Sequence, residues 1–125
     1  MWQKLLILSL GGATGTLARY GLSGLTNRWL GGDFPWGTFA VNALGCLLFG
    51  MIAAMADGRI TISAEARLLI LTGFIGAFTT YSTFAFESSQ MLRESQWLLV
   101  AANVVGQNVV GLLLVLAGLK LGHWI

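Results

Sequence analysis

Four long apolar stretches divide the chain, at about Leu5–Leu30, Trp36–Met55, Ala64–Ser95 and Trp97–Leu121. Each reaches the roughly 20 residues a helix needs to cross the hydrocarbon core of a bilayer. The first contains Arg19, the second has no charge, and the fourth has none before Lys120. The third differs in kind. From Ile70 to Glu87 it reads ILTGFIGAFTTYSTFAFE, an apolar run interrupted by Gly76, Thr79, Thr80, Ser82 and Thr83 and interleaved with aromatics. Hydroxyls and freed backbone groups persist at membrane depth only when buried in protein or lining a polar path. The pattern predicts unwinding from Gly76 to Thr80 and an ion or solute pathway rather than a passive span.

The punctuation agrees with four helices. Gly31-Gly32-Asp33-Phe34-Pro35 is a turn, with Pro35 placed to open the second helix. Asp57-Gly58-Arg59 closes that helix, and Ser63 before Ala64-Glu65-Ala66 reads as a helix start. Trp2, Trp29, Trp36, Trp97 and Trp124 fall at span ends, where interfacial aromatics belong. The N-terminus slightly resembles a signal peptide, but apolar character continues to Leu30, so it is read as a retained helix.

Composition turns this pattern into a class. The 125 residues are 56% hydrophobic and 10% charged, with mean hydropathy +0.77, as in an integral membrane protein with room for one four-helix domain over 1–125. So small a chain encloses a path more readily by association. The net charge of +2 shows no basic cluster and gives no reason to expect nucleic acid. Cys46 is the only cysteine, which excludes a disulfide framework and reads as a packing residue. No paired carboxylates, Ser/His/Asp set or metal-ligand spacing points to an enzyme.

Charge sets the orientation weakly. With four spans, Lys4, Arg59, Arg67 and Lys120 share one side and Arg28 and Arg93 the other. This bias favours cytoplasmic termini, yet it is small enough for insertion both ways and antiparallel pairing.

The polar residues within the spans are the candidates. Arg19 either draws an anion or ties helices together, since a charge at depth faces protein or water. Asn42 lies one turn from Thr38 and offers two donors and an acceptor, for an anion or for a neighbouring helix. Asn103, Gln107 and Gly111 form a stripe on the fourth helix that serves equally as a polar track or as packing glue. Glu87 is the acid away from the ends of the long third span and suits a partner arginine, a vestibule or an interface. His123 belongs to an interfacial tail. At the interruption, carbonyl oxygens suit a hard cation such as sodium, a following helix N-terminus suits an anion, and the positive ring edges of Tyr81 and Phe84 suit a small anion.

The fragments GGATGTLARY (Gly11 to Tyr20), PWGTFAVNALG (Pro35 to Gly45) and GFIGAFTTYSTFAFE (Gly73 to Glu87) closely resemble the signatures of the CrcB/Fluc fluoride channel family. The resemblance implies an all-α, antiparallel dual-topology homodimer with a broken third helix, two pores and passive efflux of fluoride through the bacterial inner membrane. It implies that Asn42 is the pore asparagine and that Tyr81 and Phe84 are the ring pair facing fluoride. Thr80, Ser82 and Thr83 would belong to the hydroxyl-rich pore region, Arg19 to a vestibule and Glu87 to the fluoride path. Gly76 and Thr79 would give backbone carbonyls to a structural sodium ion on the dimer axis. Tyr81 stands where the family has phenylalanine, Ala77 where it has glycine, and Asn103, Gln107 and Gly111 where other members often have Tyr or Ser. A proton-coupled drug or guanidinium exporter is the first rival, but this first helix carries no acid; a non-transporting assembly subunit is the second.

Overall fold

The computed structural model describes residues 1–57 and 62–124, and the expected turn residues Gly58 and Arg59 lie outside the described residues. The regular structure described is helical: α1 (Trp2–Leu30), α2 (Trp36–Asp57), α3 (Ala64–Arg67), a π-helical run (Leu68–Ile75), α4 (Gly76–Phe78), α5 (Tyr81–Arg93) and α6 (Trp97–Trp124). The stretch from α3 to α5 forms the third long segment, so four helical segments follow one another as the apolar pattern predicts. Ser63 caps α3 by accepting the Ala66 N–H at 3.1 Å. Pro35 stands just ahead of α2, whose N-terminus is tied to α1 by the Gly37 N–H donating to Asn27 Oδ1 at 2.7 Å.

Among the described residues, three segments are long and apolar enough to cross a membrane: Trp36–Asp57, Ala64–Arg93 and Trp97–Trp124. The first of the four expected spans, α1, is not among them. Its 29 residues reach about 43 Å at 1.5 Å per residue, ample for a bilayer. Its middle, however, is given to glycine, threonine and Arg19, because α1 packs through small residues. Gly11 and Gly15 are buried one turn apart against the π run, Gly11 opposite Gly73 and Gly15 opposite the Phe74 carbonyl. Such spacing lets backbones approach closely.

The α2–α6 contact is the most extensive in the subunit and is built the same way. A Cβ at Gly118 would overlap the Leu47 carbonyl oxygen, and one at Gly50 would overlap that of Val115. Gly118→Val should therefore push the helices apart and cost about 1–3 kcal/mol or more by overpacking. Gly12→Ala, in open space, should be tolerated. Melting of the detergent-solubilised variants checks the pair; equal behaviour would remove the close-packing account.

Few large apolar side chains are enclosed. Val41, Ala54, Ile75, Phe78, Phe84 and Met91 are buried, while Leu98, Val105, Leu112, Leu113 and Leu116 of α6 face outward. That distribution suits surroundings that are themselves apolar.

The third segment is extended at two residues. Thr79 has φ −81° and ψ 157°, and Thr80 has φ −150° and ψ 109°. The expected unwinding from Gly76 is corrected: Gly76 is helical (φ −60°, ψ −35°), and the Thr79 N–H still reaches the Ile75 carbonyl at 3.0 Å. The chain leaves the helix only where two β-branched threonines meet and the second caps the next helix. Thr80 Oγ1 accepts the Thr83 N–H at 3.2 Å, so α5 starts with a side-chain cap.

Candidate functional site

The extended pair leaves backbone groups that a continuous helix would satisfy, and α2 supplies the replacement. Asn42 Oδ1 accepts the Thr80 N–H at 2.9 Å, and Asn42 Nδ2 donates to the Thr80 carbonyl at 3.3 Å. Its side-chain amide thus pairs with Thr80 as a neighbouring backbone would. Because a backbone N–H only donates, it fixes which end of the Asn42 amide faces it.

That orientation propagates across the subunit. Asn42 Nδ2 donates to Gln107 Oε1 at 2.7 Å, Gln107 Nε2 to Asn103 Oδ1 at 2.9 Å, Asn103 Nδ2 to Ser88 Oγ at 3.0 Å, and Ser88 Oγ to the Phe84 carbonyl at 2.8 Å. A one-directional chain of donors links α2, α6 and α5. Asn103 is 0% exposed. An amide so enclosed would be costly if unpaired, and both its ends are satisfied. The predicted Asn103–Gln107 stripe therefore faces α2 and α5, and next along it buried Gly111 leaves room for Cys46.

Ser88 completes this chain and is not among the residues the sequence reading singles out. Its signal was faint: a serine one turn beyond Phe84 on a helix usually bonds its own backbone, as this one also does.

Tyr81 and Phe84 adjoin the interruption on the first turn of α5. Their ring centroids are 5.6 Å apart and the planes tilted by 48°. Phe84 is 9% exposed, whereas Tyr81 is 80% exposed on this subunit. Both border an open groove of roughly 310 Å³ shared with Asn42, Thr79, Thr80 and Gln107. A second groove, of roughly 430 Å³, lies on the other side of Thr80 and brings Arg19, Ser23, Thr38 and Thr83 together. Thr80 Oγ1 donates to Thr83 Oγ1 at 2.9 Å and lies 3.4 Å from Ser82 Oγ, so these three hydroxyls form one cluster.

Glu87 stands apart from Asn42 and the ring pair. Its Oε1 accepts from Thr38 Oγ1 at 2.8 Å, while its buried Oε2 has no hydrogen-bond partner. It borders a third groove, between the α1–α2 and α5–α6 turns, with Asp33, Gln90 and Glu94. The one ion pair among the described residues, Arg67 to Asp57 at 3.5 Å, is exposed, and Arg19 is not the partner of Glu87. His123 contacts the Leu119 carbonyl at 2.7 Å near the exposed end of α6.

The carbonyls of Gly76 and Thr79 are also set apart. The Thr80 N–H, which would reach Gly76 in a continuous helix, goes to Asn42. The Thr83 N–H, which would reach Thr79, goes to Thr80 Oγ1. Gly76 is exposed, and a Cβ there would meet only the Leu71 carbonyl at 3.7 Å.

Residues 6–119 match the family described as CrcB-like protein, Camphor Resistance (CrcB). The chain is 57% identical over 98% of both sequences to the "Fluoride-specific ion channel FluC" of Nitrosococcus oceani. It is 50% identical, end to end, to the protein of that name from Solidesulfovibrio magneticus, and 47% identical over 98% of both sequences to that from Maridesulfovibrio salexigens. With a match of this extent over α1 to α6, the chain belongs to the CrcB family.

Proposed function

We propose that this chain is a subunit of a fluoride-selective channel of the bacterial inner membrane that lowers cytoplasmic fluoride by passive efflux. One observation carries the reading: Asn42, Tyr81 and Phe84 converge on a single groove beside the interruption. The relatives' shared name adds fluoride as the ion. Fluoride is small and strongly hydrated, so it needs amide and hydroxyl donors in place of water, and positive ring edges suit it. The groove is open and Tyr81 is bare, which a second copy of the chain would remedy. Two antiparallel copies would give two pores, with Arg19 and the Thr80–Ser82–Thr83 hydroxyls at an approach and Glu87 further along, while the enclosed Asn103 would brace Gln107 from behind.

The central sodium belongs to the same proposal. Gly76 and Thr79 fit it, because their carbonyls have lost their helical N–H partners and oxygen is the ligand a hard cation takes. Two copies would offer four such oxygens, and a cation there would supply fixed positive charge between the subunits. Gly76 is helical and open within the subunit, so Gly76→Val should leave the subunit folded and act only through crowding at the partner.

Reconstituted vesicles test the reading. Fluoride should leave down its gradient and chloride should not, and comparable chloride flux would sink the fluoride assignment. Prolonged replacement of sodium by a bulky organic cation should depress the flux reversibly; full activity after verified sodium removal would dismiss the cation alone. Cysteine tags at either terminus should label from both sides of intact cells, and one-sided labelling would dismiss dual insertion.

A further inference from the structure

The hydrogen-bonding capacity of Asn42 is almost used up. A side-chain amide has two N–H donors and one carbonyl oxygen. One N–H goes to the Thr80 carbonyl, the other to Gln107 Oε1, and the oxygen takes the Thr80 N–H. What remains is a lone pair, the wrong polarity for an anion. An anion that uses Asn42 must first take an N–H from one of its present acceptors.

The two acceptors differ in what yielding involves. The Thr80 carbonyl belongs to a buried backbone that Asn42 holds at both ends, so releasing it undoes the pairing of the extended residues. Gln107 is half-buried and its long side chain borders the same groove as Tyr81 and Phe84, so a turn of that side chain would leave the Thr80 pairing in place. When it turns, Asn103 Oδ1 loses its donor too, so the release is resisted at both ends of the glutamine.

Resting on the channel reading above, we propose that Gln107 is a latch on Asn42: it occupies the N–H that would meet the ion, and an anion enters only by displacing it. Gln107 is a positioning residue that acts through Asn42. The latch sets a threshold for occupancy that any anion must meet. A hydrogen bond to an anion is roughly twice as strong as one between neutral amides, and it strengthens as the anion becomes smaller and more basic. Fluoride outbids the Gln107 carbonyl for the N–H; chloride, larger and a weaker acceptor, does so less readily. Where a relative places a smaller side chain at this position, the threshold would be lower.

Gln107→Leu tests the latch, because it keeps the bulk and removes the acceptor. Fluoride concentration at half-maximal flux should fall roughly five-fold, the size of one net neutral hydrogen bond. Ser88→Ala is the control. It removes the far end of the same donor chain and loosens the subunit but leaves the Asn42–Gln107 bond, so half-saturation should not change. An unchanged or raised half-saturation in Gln107→Leu, or an equal fall in Ser88→Ala, overturns the latch. The unaltered protein gives a second measurement if Gln107→Leu does not fold. With labelled glutamine and asparagine side chains, saturating fluoride should move the Gln107 carbonyl and Asn42 amide resonances together in NMR spectra. Movement of Asn42 alone overturns the latch while leaving the channel intact, and absence of fluoride flux in the unaltered protein removes both.

Discussion

Asn42→Ala should reduce fluoride flux more than any other single change in the site, by at least about a hundredfold. Three hydrogen bonds are lost together, and the buried Thr80 N–H and carbonyl are left without their partner. Each such orphan costs about 1–3 kcal/mol, and every 1.4 kcal/mol is a factor of ten. Part of the loss falls on assembly, since Asn42 holds the extended residues in place. Asn42→Asp separates the two contributions. It keeps an acceptor for the Thr80 N–H, so more protein should survive size-exclusion chromatography than with alanine. It has no N–H to give an anion and adds negative charge, so flux should stay lost. Substantial flux through well-folded Asn42→Asp would mean that Asn42 only braces the backbone.

Phe84→Ile is expected to have the next largest effect. Isoleucine retains most of the buried volume, so the stability cost should be modest, about 1–2 kcal/mol. It removes the ring whose positive edge, beside Tyr81 and the Asn42 groove, would face the ion. Flux in vesicles should fall at least tenfold, while the elution position on size-exclusion chromatography stays unchanged. Tyr81→Phe keeps the ring and deletes only an exposed hydroxyl, so flux should remain within a few-fold. Retained flux in Phe84→Ile would reduce Phe84 to a packing residue. A large effect of Tyr81→Phe would instead assign the hydroxyl a role that the ring pair does not explain.

Both predictions depend on a coincidence of residues that the sequence shows only in part. Apolar stretches and their punctuation determine four helical segments, because apolar length and capping act locally: Ser63 caps α3, and Gly31–Pro35 separates α1 from α2. The hydroxyl-aromatic composition after Ile75 likewise marks where the third segment changes character, since threonines favour extended backbone and caps. Local sequence does not reveal the π winding from Leu68 to Ile75, which lies where α1 presses Gly11 and Gly15 against it. Nor does it limit the extended backbone to Thr79 and Thr80, because that limit depends on whether an N–H finds its partner within its own helix or elsewhere. Asn42 is 38 residues from Thr80 and 65 from Gln107, and only the packing of α2 against α6 and α5 brings them together. Side-chain amides look alike in a sequence whether they face lipid, water or each other. Tertiary structure decided that Asn103 is sealed, that Gln107 holds Asn42, and that the Gly76 carbonyl is released, because each of these depends on which distant donor reaches which acceptor.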